Sequence, residues 1–593
     1  MALHTSTQIR IEGHKRVADT FQLLTLHESI GDHHRFKLEL SGRAFGRGRG
    51  TASWRELVGR RIYIEIAPTD ENLPLGSKVF SGLITGLSLA KDYGSQGRVI
   101  LEGGSPTLLL DDDPHMATFS QQSLQRIIRQ QLSAYPTNLL RPQVNPATDG
   151  PLEYVVQYKE TSWQLLQRLA SEHGEWLFYN GQQLIFGRCD PDTVSLIHDR
   201  ELDRFALQLD VRANNMQMTG YDYTGDQSAA SDSASHQPSG INVHSRTALE
   251  ASQSLYTRRG QYKPNHALQG DAGGRIDQIA SRRSASTLGG MVRLNGTSHH
   301  PGLGVGAHLS LEERFYGKEA YGEFMLTGVH HRCDSEGHYS NRFRGIPADV
   351  AAPSFHLEAH PRAEAQSAVV VDNHDPDDLG RVRVRFRWQQ SGMTPWLRML
   401  SPAGGDGKGF HMIPEKGEEV WVDFEGGHPE LPYVVGAARN GRSPSGDGTP
   451  ENDIKSIRTR SGHTIELKDA EGGESITIKD KNGNAIRMNT GKKSITITAP
   501  EDMTLNAKNM EMNIRENLRV NVGKSKTERI REDRNLEAKN SITKILENRT
   551  VRSGEKTEQQ AGELTVHTST GEMLLDGAGK VTIQSKDRID FGE

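Results

Sequence analysis

The sequence predicts a mainly β protein in three parts: a β-rich base with a few helices, a small barrel, and an intertwined β-helix that several chains build together. Short segments of alternating apolar and polar residues, the pattern of half-buried strands, recur in residues 1–355. Five further short strands lie close together within residues 362–440. From residue 453 onward, pairs of apolar residues recur with one polar residue between their members. The 61 glycines and 6% of aromatic residues are typical of turn-rich β structure.

The base contains two well-marked helices. One is expected over Ser123–Leu132, where the apolar residues fall on one face. The other begins with a capping-box pattern at Thr161 and Gln164 and ends at His173-Gly174. Strands are expected at Arg60–Ile66, Val79–Leu89, Arg98–Glu102, Tyr154–Tyr158, Trp176–Tyr179, Leu184–Phe186, Met291–Leu294 and Glu323–His330.

Two connections in the base have a distinctive composition. Asn180-Gly181 lies between two short apolar segments, which predicts a hairpin with a type I′ turn. The stretch near residues 226–250 begins with a segment rich in Ser, Ala and Gln, which predicts a flexible loop.

Residues 362–440 predict a closed barrel of the OB type. Turns rich in Gly, Pro and Asp separate its strands, and five strands at this spacing suit such a barrel. A linker over residues 441–452 follows, which is too short to hold a domain. The expected strands are Ala368–Val371, Gly380–Trp388, Trp396–Leu400, Glu419–Phe424 and Tyr433–Val435.

The segment from 453 to 593 predicts a repeat structure, which we call the needle. Gly and Asn residues separate many of the apolar pairs, and farther along an apolar residue recurs at every eighth position, which is typical of a structure whose turns stack on one another. The residues predicted to face its core are Ile465, Leu467, Ile476, Ile478, Ile486, Met488, Ile495, Ile497, Met503, Leu505, Ile514, Val522, Ile530, Ala538 and Leu546.

The needle has too few apolar side chains for a core within one chain. Between residues 523 and 561 the clearly apolar residues number seven, and their burial does not offset the conformational entropy lost on ordering the segment. Identical chains wound together share one narrow core and pair their strand edges, which favours an intertwined trimer. The alternative is a charged trimeric coiled coil over residues 524–560, since the apolar residues there also suit a helical stripe, namely Ala538, Ile542, Ile545 and Leu546.

Charge and hydropathy exclude several classes. A formal net charge of −5 with 25% charged residues gives no overall basic excess for nucleic acid. The sequence contains no run of 18 apolar residues, so no membrane-spanning helix is predicted. No apolar segment follows Met1, so we expect no secretory signal. The two cysteines, Cys189 and Cys333, fit a protein that folds in a reducing cytosol.

Candidate catalytic and metal-binding fragments fail on spacing. Residues 404–409 lack the pattern of a phosphate loop and predict a turn. Asp375 and Asp377 resemble part of a calcium loop without its closing Glu, so a barrel loop is expected. The pairs His33-His34, His299-His300 and His330-His331 are expected in solvated loops or at strand ends.

Three motifs carry a family resemblance. They are Val156-Gln-Tyr-Lys-Glu-Thr161 with Arg168 and Gly174, Leu326-Thr-Gly-Val-His-His331 with Tyr339 and Asn341-Arg-Phe343, and Gly380-Arg-Val-Arg-Val-Arg-Phe386 with Ile413-Pro-Glu-Lys-Gly-Glu-Glu-Val420. Together they resemble VgrG, the spike family of bacterial type VI secretion systems, which is similar to phage tail hubs and needles. The resemblance implies a homotrimer whose base, residues 1–355, has two β-barrel-like halves. It also implies that the base sits on an Hcp tube, and that a PAAR-repeat protein caps the needle.

The function expected from this resemblance is mechanical. The spike punctures target membranes and carries effectors, with baseplate proteins as further partners, and it leaves the cytoplasm through the machine itself. No enzyme activity and no cofactor are expected. The last apolar pair, Ile589 and Phe591 with Arg588 and Asp590, is the predicted docking surface for the cap. His567 is a weak metal candidate, because a threefold axis would bring three copies of it together.

Three alternatives remain at this stage. The chain also suits the spike of an extracellular contractile injection system or a phage-like tail. A trimeric tailspike that binds or cleaves polysaccharide would need exposed aromatic residues, and the needle has no Trp or Tyr. An OB barrel that binds nucleic acid is suggested by Arg381, Arg383, Arg385 and Arg387, but these residues share one face of an ordinary half-buried strand.

Overall fold

A computed structural model describes residues 4–14, 21–42, 55–70, 75–91, 97–148, 150–236, 241–264, 271–312, 321–350 and 361–591. The base is built on one twelve-stranded sheet. Its first strands are β1 (Thr5–Ile11), β2 (Phe21–Ser29), β3 (Arg35–Ser41), β4 (Arg61–Pro68), β5 (Lys78–Ala90) and β6 (Arg98–Gly104). Smaller sheets use β7 (His115–Ser123), β8 (Gln143–Asn145), β9 (Pro151–Glu160), β10 (Leu177–Tyr179) and β11 (Leu184–Gly187).

The second half of the base returns to the large sheet. The remaining strands of the base are β12 (Thr193–Ile197), β13 (Leu202–Leu209), β14 (Met216–Asp222), β15 (Gln227–Asp232), β16 (Gly260–Tyr262), β17 (Val292–Ser298), β18 (His308–Glu312), β19 (Glu323–Asp334) and β20 (Tyr339–Pro347). The sheet order is β1-β4-β5-β6-β3-β2-β19-β20-β17-β13, and β12 joins through β18, which pairs with β19.

Two hydrophobic cores share the long antiparallel strands β19 and β20. The first core contains Leu26, Phe36 and Phe80 from β2, β3 and β5, together with Cys333 and Tyr339 from the adjoining ends of β19 and β20. The second contains residues nearer the other ends of the same two strands, among them Phe324 and Phe343. Strands of 12 and 9 residues reach both cores because each residue of a strand advances about 3.3 Å.

Both predicted helices of the base are present with the expected caps. Helix α1 (Leu124–Leu132) begins where the Ser123 hydroxyl accepts the backbone N–H of Arg126. Helix α2 is Thr137–Leu140, and helix α3 is Ser162–His173. At the start of α3, Thr161 and Gln164 form the complete capping box, and Gly174 ends the helix in the left-handed conformation. Two more helices follow, α4 (Val243–Leu255) and α5 (Ala272–Gly289).

The prediction of a flexible loop near residues 226–250 was wrong over most of its length. Residues 227–232 form β15, which pairs antiparallel with β14, and α4 begins at Val243. Residues 237–240 lie outside the described chain. The small side chains that suggested a loop instead allow close packing, since Ala229 packs against the core that contains Ile276 and Ala280 of α5.

The predicted hairpin at Asn180-Gly181 is present, but the turn type was wrong. Strands β10 and β11 pair antiparallel, and the backbone N–H of Asn180 donates to the carbonyl of Gln183 at 3.0 Å. Of Asn180 and Gly181, only Gly181 has a positive φ, +105°, whereas a type I′ turn centred on them needs positive φ at both. A Cβ on Gly181 would lie 2.4 Å from the carbonyl oxygen of Val79, so glycine is required here.

The OB barrel follows at residue 361. Its strands are β21 (Gln366–Asp372), β22 (Arg383–Phe386), β23 (Gly404–Gly405), β24 (Lys408–Gly409), β25 (Glu419–Phe424) and β26 (Pro432–Ala437). Four of them form a sheet in the order β22-β21-β25-β26 around Val370, Val384 and Val422. The strand predicted at Trp396–Leu400 is reduced to two isolated bridges, Leu397 to Val382 and Met399 to Val434.

The needle begins with five short strands that form a sheet in chain order. They are β27 (Ile454–Arg458), β28 (Thr464–Lys468), β29 (Ser475–Lys479), β30 (Ala485–Asn489) and β31 (Ser494–Thr498). Residues 501–591 are all exposed in the single chain and have no regular helix or paired strand. In the described part of the chain, no helix is both long and apolar enough to cross a bilayer.

Candidate assembly site

A buried ionic network lies in the base, between the large sheet and the loops beside it. The Glu28 carboxylate at the end of β2 is fully buried, and the ammonium of Lys78 lies 2.6 Å from Oε1 and 2.8 Å from Oε2. His34 Nδ1 lies 3.6 Å from Oε1, and His331 Nε2 of β19 lies 3.6 Å from Oε2. One buried carboxylate therefore joins strands β2, β5 and β19.

Residues of the motif Leu326–His331 with Tyr339 and Asn341 extend this network. Nδ1 of His331 lies 2.7 Å from the hydroxyl of Tyr339, and the Asn341 side chain donates to that hydroxyl at 3.0 Å. Asn341 also donates to the backbone carbonyl of His300 at 2.9 Å. The motif residues His331, Tyr339 and Asn341 thus act as interior hydrogen-bonding groups of the base.

The pairs His33-His34 and His299-His300 lie beside the ends of β3 and β17, as expected, but His330-His331 lies within β19, and four of the six residues are not solvated. His33, His34, His300 and His331 are buried, with exposed fractions of 4% or less. A histidine on a half-buried strand or beside a buried carboxylate becomes buried together with the apolar residues around it. A His-His pair in the sequence does not indicate this burial.

Burial changes the charge states in this network. Desolvation lowers the pKa of His34 to about 4 and also lowers the pKa of His331. Desolvation alone would raise the pKa of Glu28, but Lys78 and the two histidines hold it well below its usual range. At neutral pH the network therefore contains one carboxylate, one ammonium and neutral imidazoles.

A second buried network connects the base to the OB barrel through Arg168 of α3. Its Nε and Nη2 donate to the two carboxylate oxygens of Glu160 at 2.9 and 3.0 Å. Its Nη1 donates to Glu172 at 3.0 Å and to Glu430, in the loop before β26, at 3.1 Å. Nη2 also donates to the backbone carbonyl of Val156 at 2.7 Å, so every guanidinium nitrogen is used.

Glu430 is the part of this network that comes from the barrel. Burial raises the pKa of its carboxyl group. The positive charge of Arg168 lowers this pKa, and the negative charge of the nearby Glu172 raises it further. Its Oε1 also accepts the backbone N–H of Val156 at 3.2 Å. Arg168, recognised in the sequence only as part of a motif, therefore has a physical role as the joint between two domains.

The segment that resembled a calcium loop is completed by an arginine. Asp375 accepts the backbone N–H groups of Asp377, Leu379 and Arg381, and its oxygens lie 2.6 and 2.9 Å from the Arg381 guanidinium. Partial burial opposes ionisation, but these hydrogen bonds lower the pKa of Asp375 to about 2. The Arg381 guanidinium thus occupies the position beside Asp375 that a calcium ion would take in a calcium loop. The segment is a loop of the barrel, as the sequence predicted. Among the described residues, no group of three or more His, Cys, Asp or Glu is arranged to hold a metal.

The predicted core residues of the needle are all exposed in the single chain. The large ones range from 39% exposed at Ile486 to 88% at Leu546, and Ala538 is exposed as well. Monomeric soluble proteins rarely leave so long a series of large apolar side chains uncovered. Nothing within one chain covers this surface in the described residues.

The backbone beyond β31 bends at regular intervals. Bends occur at residues 508, 515–516, 523–524, 531–532, 539, 546–547, 554–555 and 562, a step of seven or eight residues. Ile514, Val522, Ile530 and Ala538 each stand immediately before a bend. The eight-residue period of the sequence is therefore also a period of the backbone.

The distal residues are exposed. Phe591 is 82% exposed and Ile589 is 42% exposed. Arg588 forms an ion pair with Asp590. His567 is exposed and makes no cluster with other metal-binding residues in the described part of one chain. The proposals for these residues depend on neighbouring copies.

Two family models match the chain in succession. Residues 27–337 match the phage tail baseplate hub (GPD) family, and residues 366–438 match the type VI secretion system/phage-baseplate injector OB domain. A hub followed by this barrel defines the class of baseplate hub proteins. The chain belongs to the phage tail baseplate hub family, and its resemblance to VgrG proteins is confirmed by its relatives.

Those relatives include spike proteins of Pseudomonas aeruginosa. The chain is 24% identical over 508 residues to the type VI secretion system spike protein VgrG4b, covering 77% of this chain and 58% of the relative. It is 25% identical to VgrG5 over 543 residues, covering 80% of this chain and 64% of the relative. The chain thus spans less than two thirds of the length of these two relatives.

Solved structures share the fold at low identity. A chain of the Francisella PdpA-VgrG complex in its lidded form aligns with a TM-score of 0.56 at 8% identity, covering 84% of this chain and 80% of that chain. The half-lidded form gives a TM-score of 0.55 at 9% identity, covering 83% and 88%.

Acid is expected to destabilise the base through the Glu28 network. His34 and His331 are neutral when folded and take up protons near pH 6.5 when unfolded, so stability falls as pH drops below about 6.5. Each histidine contributes up to about 1.4 kcal/mol per pH unit, and Glu28 acts in the same direction at lower pH. Thermal unfolding between pH 7.5 and 5, with hydrogen exchange of peptides from β2 and β19, measures this.

Two variants make that experiment specific. His34→Gln should flatten the pH dependence, because one depressed pKa is removed. His567→Gln, at an exposed position, should leave it unchanged. A melting temperature of the wild-type chain that does not move between pH 7.5 and 5 would contradict the assignment.

Replacing Arg168 with Met should destabilise the joint between base and barrel. Glu160 and Glu430 would lose the cation that their largely buried carboxylates share, at a cost of about 3–5 kcal/mol. Chemical denaturation gives the magnitude, and faster hydrogen exchange in β9 and around Glu430 gives the location. Arg385→Met, on the exposed face of β22, is the matched control. Equal stability of the two variants would show that the Arg168 network is energetically unimportant.

Proposed function

We propose that this chain is the structural spike of a contractile injection machine of the type VI secretion class and that it works as a homotrimer. Residues 1–355 would form the hub-like base, 362–440 the OB barrel, 441–452 the linker and 453–593 the needle. Membership of the baseplate hub family and the relatives named as type VI spikes support this function.

The observation that carries the proposal is the uncovered apolar series of the needle. Residues such as Ile495 and Ile497 are 67% and 60% exposed, while Thr496 and Thr498 alternate with them. A chain with this pattern gains stability only when a second apolar surface meets it. Three parallel copies supply that surface to one another around a common axis, and they leave no open strand edge.

The regular bends support a prism as the form of the needle. A bend at every seventh or eighth residue divides the chain into straight segments of about six residues, each long enough for one face of a prism. The apolar residues just before the bends would converge on the axis, and the charged residues between them would face water. A trimer with backbone groups paired between chains unfolds only by breaking many hydrogen bonds together, which suits transmission of axial force.

The partners in this proposal follow from the family resemblance. The base would sit on a tube of the Hcp type within a baseplate, and the needle would carry a PAAR-repeat cap and effectors into a target membrane. The chain would assemble in the cytoplasm and leave through the machine, without binding nucleic acid. A metal ion held by three copies of His567 is the weaker part of the proposal, because alternation with Val566 favours an outward imidazole.

The proposed role is mechanical rather than enzymatic. The family to which the chain belongs is one of structural hub proteins, and the matched regions account for its base and barrel. One relative is the actin cross-linking toxin VgrG1 of Vibrio cholerae, but this chain covers 33% of that protein. The spike of a related extracellular injection system or phage-like tail is the second candidate, since the barrel model describes type VI and phage injectors together.

Light scattering of the purified chain tests the trimer. The expected mass is three times that of one chain. Ile495→Asp combined with Ile497→Asp should dissociate the trimer or lower its melting temperature sharply, since six carboxylates would enter the shared core. Thr496→Asp combined with Thr498→Asp places the same charges on the alternate face and should leave the mass unchanged. A folded monomer of the unmodified chain, or identical behaviour of both variants, would disprove the arrangement.

Capture of a purified PAAR-repeat protein tests the distal surface. Ile589→Ser combined with Phe591→Ser should abolish capture while the mass stays trimeric, because the exposed apolar contact is lost. Lys586→Ser, at an exposed charged position nearby, should retain capture. If the double variant still binds the cap, residues 588–591 are not its docking surface.

A further inference from the structure

The OB barrel carries an exposed arm that its own fold does not explain. Every residue from Ser401 to Met412 is exposed, although the arm contains the two-stranded hairpin of β23 and β24. Isolated two-stranded hairpins are marginally stable in water. An arm of this kind in an otherwise well-packed barrel points to a contact outside the chain.

The arm is nevertheless held in a defined position at its root. The backbone N–H of Leu400 donates to the carbonyl of Val434 in β26 at 2.9 Å. The N–H of Phe410 donates to the carbonyl of Ala403 at 3.0 Å, and the Ser401 hydroxyl donates to the carbonyl of Phe410 at 3.2 Å. These bonds fix where the hairpin leaves the barrel, so the position of its side chains is set by the fold.

The arm presents large apolar side chains to solvent. Leu400 at its root is 59% exposed, and Phe410 and Met412 on its returning strand are 55% and 52% exposed. The charged residues between them are Asp406 and Lys408, one of each sign. A neutral, apolar arm has little to attract an anionic or cationic ligand, and it suits an apolar protein surface.

The neighbouring sheet face has the same character. Trp421 of β25 is 45% exposed and Val435 of β26 is 43% exposed, whereas Val420, Val422 and Val434 are buried. Alternation therefore puts Trp421 and Val435 on the outward face, and the register pairs Trp421 with Gly436 beside Val435. Arm and face thus offer two exposed apolar surfaces on the barrel.

We infer that the arm, residues 401–412, packs on the outward OB face of the next copy of this chain, so that the barrels form a second interface of the trimer. This inference rests on the proposed function, because it takes the trimeric needle as given. Three needle chains begin together at residue 453, and a linker of 12 residues spans at most about 40 Å. Three barrels are thus confined around one axis.

The linker is shorter in practice than its contour length. The backbone N–H of Ser443 donates to the carbonyl of Asn440, and Asp447 accepts a hydrogen bond from Arg458 of β27 at 2.8 Å. Each barrel is therefore tied close to the start of its own needle strand. Neighbouring copies are the apolar protein surfaces that this geometry brings within reach of the arm.

Photo-crosslinking in the full chain tests the contact. With p-benzoylphenylalanine in place of Phe410, irradiation should give covalently joined dimers and trimers on a denaturing gel. The joined peptide should lie in β25 or β26. The matched control places the same group at Leu379, which is 47% exposed in the loop between β21 and β22, and it should give no such product.

Light scattering on the same sample separates the two possible failures. A trimeric mass without joined chains from position 410 overturns the arm contact and leaves the proposed spike intact. A monomeric mass overturns the spike and the arm contact together. Joined products from position 379 as readily as from 410 would show random collision, and would likewise overturn the inference.

Hydrogen exchange gives an independent result. In the trimer, amides of residues 401–412 should exchange at least about tenfold more slowly than in the variant Phe410→Ser with Met412→Ser, since burial at an interface suppresses local opening. Leu379→Ser should leave exchange in the arm unchanged. Equal, fast exchange of the arm in the wild-type chain and the double variant would contradict the contact.

Discussion

The shortage of apolar side chains in the needle is the constraint on which the rest of the molecule depends. A strand with one apolar residue at every second position buries one face only, and from residue 501 onward a single chain offers that face no partner. The consequence is a division of labour along the sequence. The base and barrel fold around their own cores, whereas the last quarter of the chain has no core of its own, and we propose that identical neighbours supply one. The mechanical role proposed for the needle follows from that need, because a core shared by three chains cannot come apart one chain at a time.

The base solves a different problem, which is how to hold long strands and separate domains in fixed positions. Two buried charged groups do this. Glu28 with Lys78 ties three strands of the large sheet, and Arg168 ties α3 and β9 to Glu430 of the barrel. Buried ion pairs of this kind contribute little net stability compared with apolar packing, but breaking one partner is costly. They therefore specify geometry. Some residues of the family motifs, among them Glu160, Arg168 and His331, belong to these networks.

Much of this arrangement follows from the sequence, and the failures have physical causes. The capping box at Thr161, eight of the twenty described strands of the base and most barrel strands were predicted because local patterns determine them. The partnership of Glu28 and Lys78 was not, since the two residues are 50 positions apart and each looks like a surface residue of an alternating strand. The region near 226–250 was misjudged because small residues that pack closely resemble those of a loop. The needle contacts that we propose lie between chains, beyond what pairing within one chain can reveal.

Strands β19 and β20 pass from one hydrophobic core of the base into the other. Neither half therefore possesses a complete set of strands of its own. Damage to one half propagates along the shared pair, and the base is expected to melt in a single cooperative transition instead of as two modules. Deleting one half of the base would therefore take β19 and β20 away from the interior of the other half as well.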